Sequence, residues 1–122
     1  PGYMPLIQDK TLTDVFVENA IPFVGKEQIK YGVDMTGSTD MGDISSIMPA
    51  VQPSVGGFMG GLHSKDFKIV NEDVAIMLPA KLMALTAATL LFDGGKLAKK
   101  VKENFKPRFT KSQYLNYLEG EN

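Results

Sequence analysis

The chain contains no cysteine, which removes disulfides and thiolate chemistry and agrees with a cytoplasmic setting. It has a single histidine, His63. One imidazole does not make a catalytic zinc site, which normally takes three protein ligands. Neither sign of charge dominates: 13 basic residues stand against 14 acidic ones, for a formal charge of -1. A balance so near neutral gives no electrostatic case for nucleic acid or an anionic membrane. There is no basic stretch followed by an apolar run, so no signal peptide is read. The longest apolar stretches are too short and interrupted to be expected to span a membrane. Internal repeats and low-complexity tracts are also lacking.

What is there suits one domain, or a large share of one. The 122 residues are 43% apolar and 22% charged, enough apolar material for a core. Residues 1–7 read as extended. Residues 8–25 predict an amphipathic helix, with Leu12, Val15, Phe16 and Ala20 on one side and Asp14 and Glu18 on the other. Asp9 or Thr11 is its expected cap and Gly25 its end, although Pro22 weakens the last turn. A short strand is expected over 29–33, a polar turn over 36–43, edge strands or a strand and loop over 44–55, and a flexible glycine loop over 56–61. Residues 67–70 suit a short strand or turn. Residues 74–92 form the strongest periodic segment, apolar nearly all round and so expected to be buried in a larger body. Pro79 marks the first turn of the main helix or a kink, with 71–78 as a separate turn, and Asp93-Gly94-Gly95 stops it. A basic helix over 96–105 and a terminal helix over 110–118, capped by Thr110, complete the pattern. The class is α/β, with helices flanking a short mixed sheet.

Three places invite a chemical reading. Residues 34–43 (DMTGSTDMGD) hold three carboxylates, Asp34, Asp40 and Asp43, but Thr39 stands where a calcium loop needs glycine. Met35 likewise interrupts any aspartic-protease signature. Two readings remain: a turn whose side chains cap backbone groups, and a loop presenting N–H groups and hydroxyls to an anionic substrate. The Gly56 to Gly61 run is followed by Leu62 and His63 rather than the lysine and hydroxyl of a phosphate-cradling loop, so flexibility is its plainer meaning. His63 itself reads either as a solvated loop histidine or as one ligand of a metal whose other ligands lie elsewhere.

Residues 37–45 (GSTDMGDIS), then Met48-Pro49, then the glycine run ending in His63, resemble the C-terminal third of M20-family amidohydrolases. The aminobenzoyl-glutamate hydrolase-like and aminoacylase-like branches are the most similar. Pro79-Ala80-Lys81 opening a long Ala/Leu/Met helix and the later KPRFTK stretch (106–111) extend the likeness over nearly the whole chain. The resemblance implies the C-terminal portion of a zinc-peptidase-like catalytic domain over 1–122. The N-terminal half is then absent, and so is the lid domain through which many members dimerise, except for a last strand near residues 1–6. A chain opening on Pro1 rather than methionine is expected to be a piece or product of something longer.

The resemblance also implies two divalent metals, zinc or else manganese, with His63 supplying the last ligand to one of them. Gly37, Ser38, Thr39 and Asp40 would form the substrate loop that meets a substrate carboxylate. The family's bridging acid and general base match nothing here, since no His-x-Asp motif and no Glu-Glu pair occurs. No catalytic residue is therefore expected in this chain, which alone would be inactive. The implied partners are the N-terminal part of the parent enzyme, in a homodimer of that parent, and a small amide or dipeptide substrate, with neither nucleic acid nor membrane. The competing reading is a non-catalytic α/β binding or interaction module.

Overall fold

A computed structural model describes residues 2–32 and 37–120. The first helix, α1 (Lys10–Val24), begins where the Asp9 carboxylate accepts the Leu12 N–H at 2.9 Å. Gly25, at φ 78°, ends it by donating its N–H to the Ile21 carbonyl at 2.9 Å. Residues 29–32 form no strand, and Val33 lies outside the described residues. A 3-10 turn over Lys26–Gln28 takes up the chain just before them, and no neighbouring strand offers a ladder.

The second departure from expectation is α2 (Met41–Ile47), a helix where a polar turn running into β-branched strands was expected. The Thr39 hydroxyl accepts the Met41 N–H at 3.3 Å, and the Thr39 carbonyl accepts the Gly42 N–H at 3.0 Å. Inside the helix, the Ser45 and Ser46 hydroxyls both donate to the Gly42 carbonyl at 2.9 Å. Ile44 and Ile47 sit a helical turn apart, so local capping and spacing outweigh β-propensity here.

The sheet is also smaller than expected and not mixed. It is a two-stranded antiparallel hairpin, β1 (Phe58–Met59) with β2 (Lys68–Ile69), in which Phe58 faces Ile69 and Met59 faces Lys68. Residues 2–7 form no strand among the described residues. The chain is thus mainly helical, and α/β only in the loose sense.

A π-turn over Asp73–Met77 leads into α3 (Leu78–Asn104), with Pro79 in its first turn. The helix is broken where expected: Asp93, Gly94 and Gly95 have φ of 51°, 66° and 72°, which divides it into an apolar and a basic half. The apolar half packs on α1, where the Asn19 amide donates to the Thr89 hydroxyl at 3.2 Å. Finally, α4 (Lys111–Glu119) carries a full capping box between Thr110 and Gln113. The Tyr117 ring stacks on Phe109 at 6.3 Å, and its hydroxyl reaches the Gly2 carbonyl at 3.3 Å.

The core is thin. Its buried apolar residues are Val15, Ala20, Ala50, Ala75, Leu82 and Val101, half of them alanines. Far from being buried all round, α3 leaves Met83 and Leu91 each 69% exposed and Phe92 79% exposed. The surface of 9154 Å² compares with roughly 6,500 Å² for a compact monomer of this mass. Within the helical stretch Asp73–Asn104 an 18-residue window reaches a mean hydropathy of 1.9, so one segment is long and apolar enough to cross a bilayer by length and composition alone. A spanning placement of 73–91 would set Lys81 near the midplane at a cost of about 2.5–3.5 kcal/mol, whereas packing on α1 leaves its ammonium exposed.

Candidate functional site

The 37–46 segment separates into two kinds of residue. Gly42, Asp43, Ser45 and Ser46 are structural. A carboxylate oxygen of Asp43 accepts the Met4 N–H at 2.9 Å, and the Ser45 hydroxyl accepts the Ile7 N–H at 3.0 Å. The Ser46 carbonyl accepts the N–H groups of Arg108 and Phe109 at 2.9 and 3.2 Å. The seven residues of α2 therefore hold the start of the chain on one side and its C-terminal stretch on the other. Gly42 makes this possible: a Cβ there would overlap the Met4 carbonyl oxygen and lie 2.7 Å from its carbon. Partial desolvation pushes the nearby Tyr114 phenol above its ordinary value of 10, and the neighbouring Asp43 carboxylate adds to the shift.

Gly37, Ser38 and Asp40 are exposed and Thr39 is half-buried. The Thr39 hydroxyl is engaged at the start of α2 and also approaches an Asp40 carboxylate oxygen at 3.3 Å. Ser38 makes no side-chain hydrogen bond among the described residues, which leaves its hydroxyl open to a ligand. Asp34, the first carboxylate of the acidic run, lies outside the described residues.

His63 sits in the loop of the β1–β2 hairpin, whose first strand takes Phe58 and Met59 out of the glycine loop expected over 56–61. Gly57 has φ 91°, and a Cβ there would come within 2.7 Å of the Ala75 nitrogen and the Asn71 oxygen. Likewise a Cβ built on Gly60, at φ 90°, would lie 2.6 Å from the Asp66 carbonyl carbon. Phe58 and Phe67 stack at 5.1 Å across the base of the loop. Within the loop the Ser64 N–H donates to the Gly61 carbonyl at 3.1 Å, and the Phe67 N–H to the Ser64 carbonyl at 3.2 Å. His63 itself has φ 62°, one of only two non-glycine residues with positive φ among those described. Such a conformation costs a side-chain-bearing residue roughly 1–2 kcal/mol. The ring is exposed and makes no hydrogen bond among the described residues.

No hydrogen bond or ion pair joins the 37–40 segment to the hairpin loop among the described residues. Nor do three His, Cys, Asp or Glu side chains converge there into a group that could hold a metal ion. The donor set suits one contributor to a metal centre, a single imidazole, and not a whole centre. Comparisons with protein-family models, with curated proteins and with solved structures found no match to this chain.

Proposed function

We propose that the chain is the C-terminal part of the catalytic domain of an M20-type two-metal amidohydrolase, acting on an N-acyl or aminoacyl amide beside a free carboxylate. One observation carries the reading. His63 is held in a costly left-handed conformation, on a loop held by its own backbone hydrogen bonds, with its side chain exposed and without a hydrogen-bond partner among the described residues. Backbone strain retained at an exposed polar residue points to selection for where the side chain is presented.

In this reading His63 donates one imidazole nitrogen to a metal, and the remaining ligands, the bridging carboxylate and the general base come from the N-terminal part of the parent. The complete centre, with zinc or manganese bound, would polarise the amide carbonyl and supply hydroxide near neutral pH. Ser38, an exposed residue, and the backbone around Gly37 would orient the substrate carboxylate. Thr39 and Asp40 would act mainly by shaping that loop through α2. The thin core and the exposed apolar flank of α3 support a chain that completes its packing against another polypeptide. Lys81 and the contact with α1 favour protein, not lipid, as its surroundings.

The test is metal analysis of the longer enzyme carrying His63→Ala. Bound metal should fall towards one equivalent and turnover should drop steeply, whereas both sites filled with normal turnover would overturn the assignment. Ser38→Ala should raise KM more than it lowers kcat, since that hydroxyl is given a binding role. The competing reading, a binding module without chemistry, draws on the lack of a metal-holding cluster among the described residues. It expects no metal in the longer protein at all.

A further inference from the structure

We propose that a second site, a cleft between α1, α2 and the last turns of α3, binds an aliphatic carboxylate of medium chain length with its headgroup at Lys102. The cleft has a volume of about 550 Å³ and is walled by Leu12, Met48, Leu90, Val101 and Phe105 among others. That size lies within the roughly 300–1,000 Å³ of small-ligand clefts. Lys102 is the only ionisable residue in its lining. Its side chain is exposed, so the stem can lie along the apolar wall while the ammonium stays hydrated at the mouth. A wall with almost no hydrogen-bonding groups does not select a sugar or a nucleotide. Its largely aliphatic make-up favours a methylene chain over a flat ring.

The charge of the stretch that supplies half of the lining is the second observation. Between residues 96 and 111 the chain carries seven basic residues against Glu103 alone, leaving six basic and thirteen acidic residues elsewhere. The single ion pair in that stretch among the described residues, Lys96 with Asp93 at 2.6 Å, is on exposed side chains. The near-neutral total therefore hides a basic C-terminal stretch, and that stretch supplies Ala98, Val101, Lys102, Phe105 and Pro107 to the wall of the cleft. An amphiphile with one negative end matches both features at once. None of the lining residues belongs to the 37–40 loop or the His63 hairpin, so this site stands or falls independently of the hydrolase reading.

Isothermal titration calorimetry of the chain with octanoate and decanoate, below their micellar range, tests the proposal. Saturable one-to-one binding is expected, with decanoate roughly 15-fold tighter than octanoate, because each enclosed methylene is worth about a fourfold gain. Lys102→Met should weaken octanoate roughly three- to fivefold and leave 1-octanol unchanged. Ala98→Leu, which fills the cleft, should abolish binding with the circular dichroism spectrum retained. If that variant fails to fold, the Lys102→Met comparison still decides. Phe92→Ser, on the exposed flank of α3, should change nothing. The proposal is overturned by the absence of saturable binding, by octanoate affinity indifferent to Lys102→Met, or by loss of binding in Phe92→Ser, which would mean adsorption to the apolar flank.

Discussion

Gly42→Ala sets two effects of opposite sign against each other. Gly42 lies in α2, and its φ is not positive, so alanine suits the backbone and should gain up to about 1 kcal/mol of helix propensity. Against this, the new methyl would overlap the Met4 carbonyl oxygen and sit 3.2 Å from the Pro5 carbonyl carbon. Both are backbone atoms and cannot rotate away. If the 4–7 segment stays, the overpacking costs about 3 kcal/mol, at the upper end of its usual range. If it lifts, the protein loses the Met4 N–H bond to the Asp43 carboxylate and the Ile7 N–H bond to Ser45. Together these are worth about 2–4 kcal/mol. Either route leaves a net loss of about 2 kcal/mol, a factor of roughly 30 in the folding constant. Urea unfolding followed by circular dichroism should show the midpoint falling by roughly 1–2 M with little change in slope. Hydrogen exchange at the Met4 and Ile7 amides then tells lifting from strain. A midpoint equal to or above that of the unsubstituted chain would refute the close packing of 4–7 on α2.

Three further outcomes follow from the same geometry. His63→Gly should raise stability by about 0.5–1 kcal/mol, because glycine adopts φ 62° freely, whereas His63→Ala should not; a destabilised glycine variant in urea would remove the argument from strain. Thr110→Ala breaks the capping box and should cost about 1 kcal/mol, read as fraying of α4 in amide exchange; unchanged exchange at Gln113 would count against it. Tyr114 should titrate above 10 in absorbance at 295 nm, since partial desolvation and the neighbouring Asp43 carboxylate favour the protonated phenol. The folded state then holds this proton more tightly than the unfolded state. Its contribution to stability is complete below about pH 10 and is lost as pH rises through the folded value, a dependence that Tyr114→Phe should abolish.

The helices with strong local signals were legible in the sequence. α1 starts at the Asp9 cap and ends at Gly25, the break at Asp93 to Gly95 divides α3, and Thr110 caps α4, because each rests on side chains within a few residues of the backbone they satisfy. The middle was not legible. Two serines and two isoleucines over 44–47 read as strand, and only the hydroxyls folding back on the Gly42 carbonyl make them helix. The GSTDMGDIS run was expected to be a substrate loop at its start, and its second half proves to be a structural clasp formed with residues 4–7 and 108–109, far away in sequence. Position 63 was picked out as the lone histidine, but its left-handed backbone was not. The signal available was the pattern itself: histidine is enriched among non-glycine residues at positive φ, and here it follows glycines in a tight loop.

The position of α2 has a consequence for the order of assembly. A helix of seven residues does not persist alone in water, so α2 gains its stability from the two segments it holds, and they from it. The partners lie 38 and 39 residues upstream along the chain in the case of Ile7 and Met4, and the Arg108 stretch is still further downstream. Closing loops of that length costs entropy before any contact is gained, so this node should form late and all at once. The hairpin around His63 is held by bonds between residues no more than 14 apart and can close early. Local opening should then divide the molecule into two cooperative units, one containing residues 4–9, α2 and 105–117, the other the 57–75 hairpin and turn, which exchange their amides at separate rates.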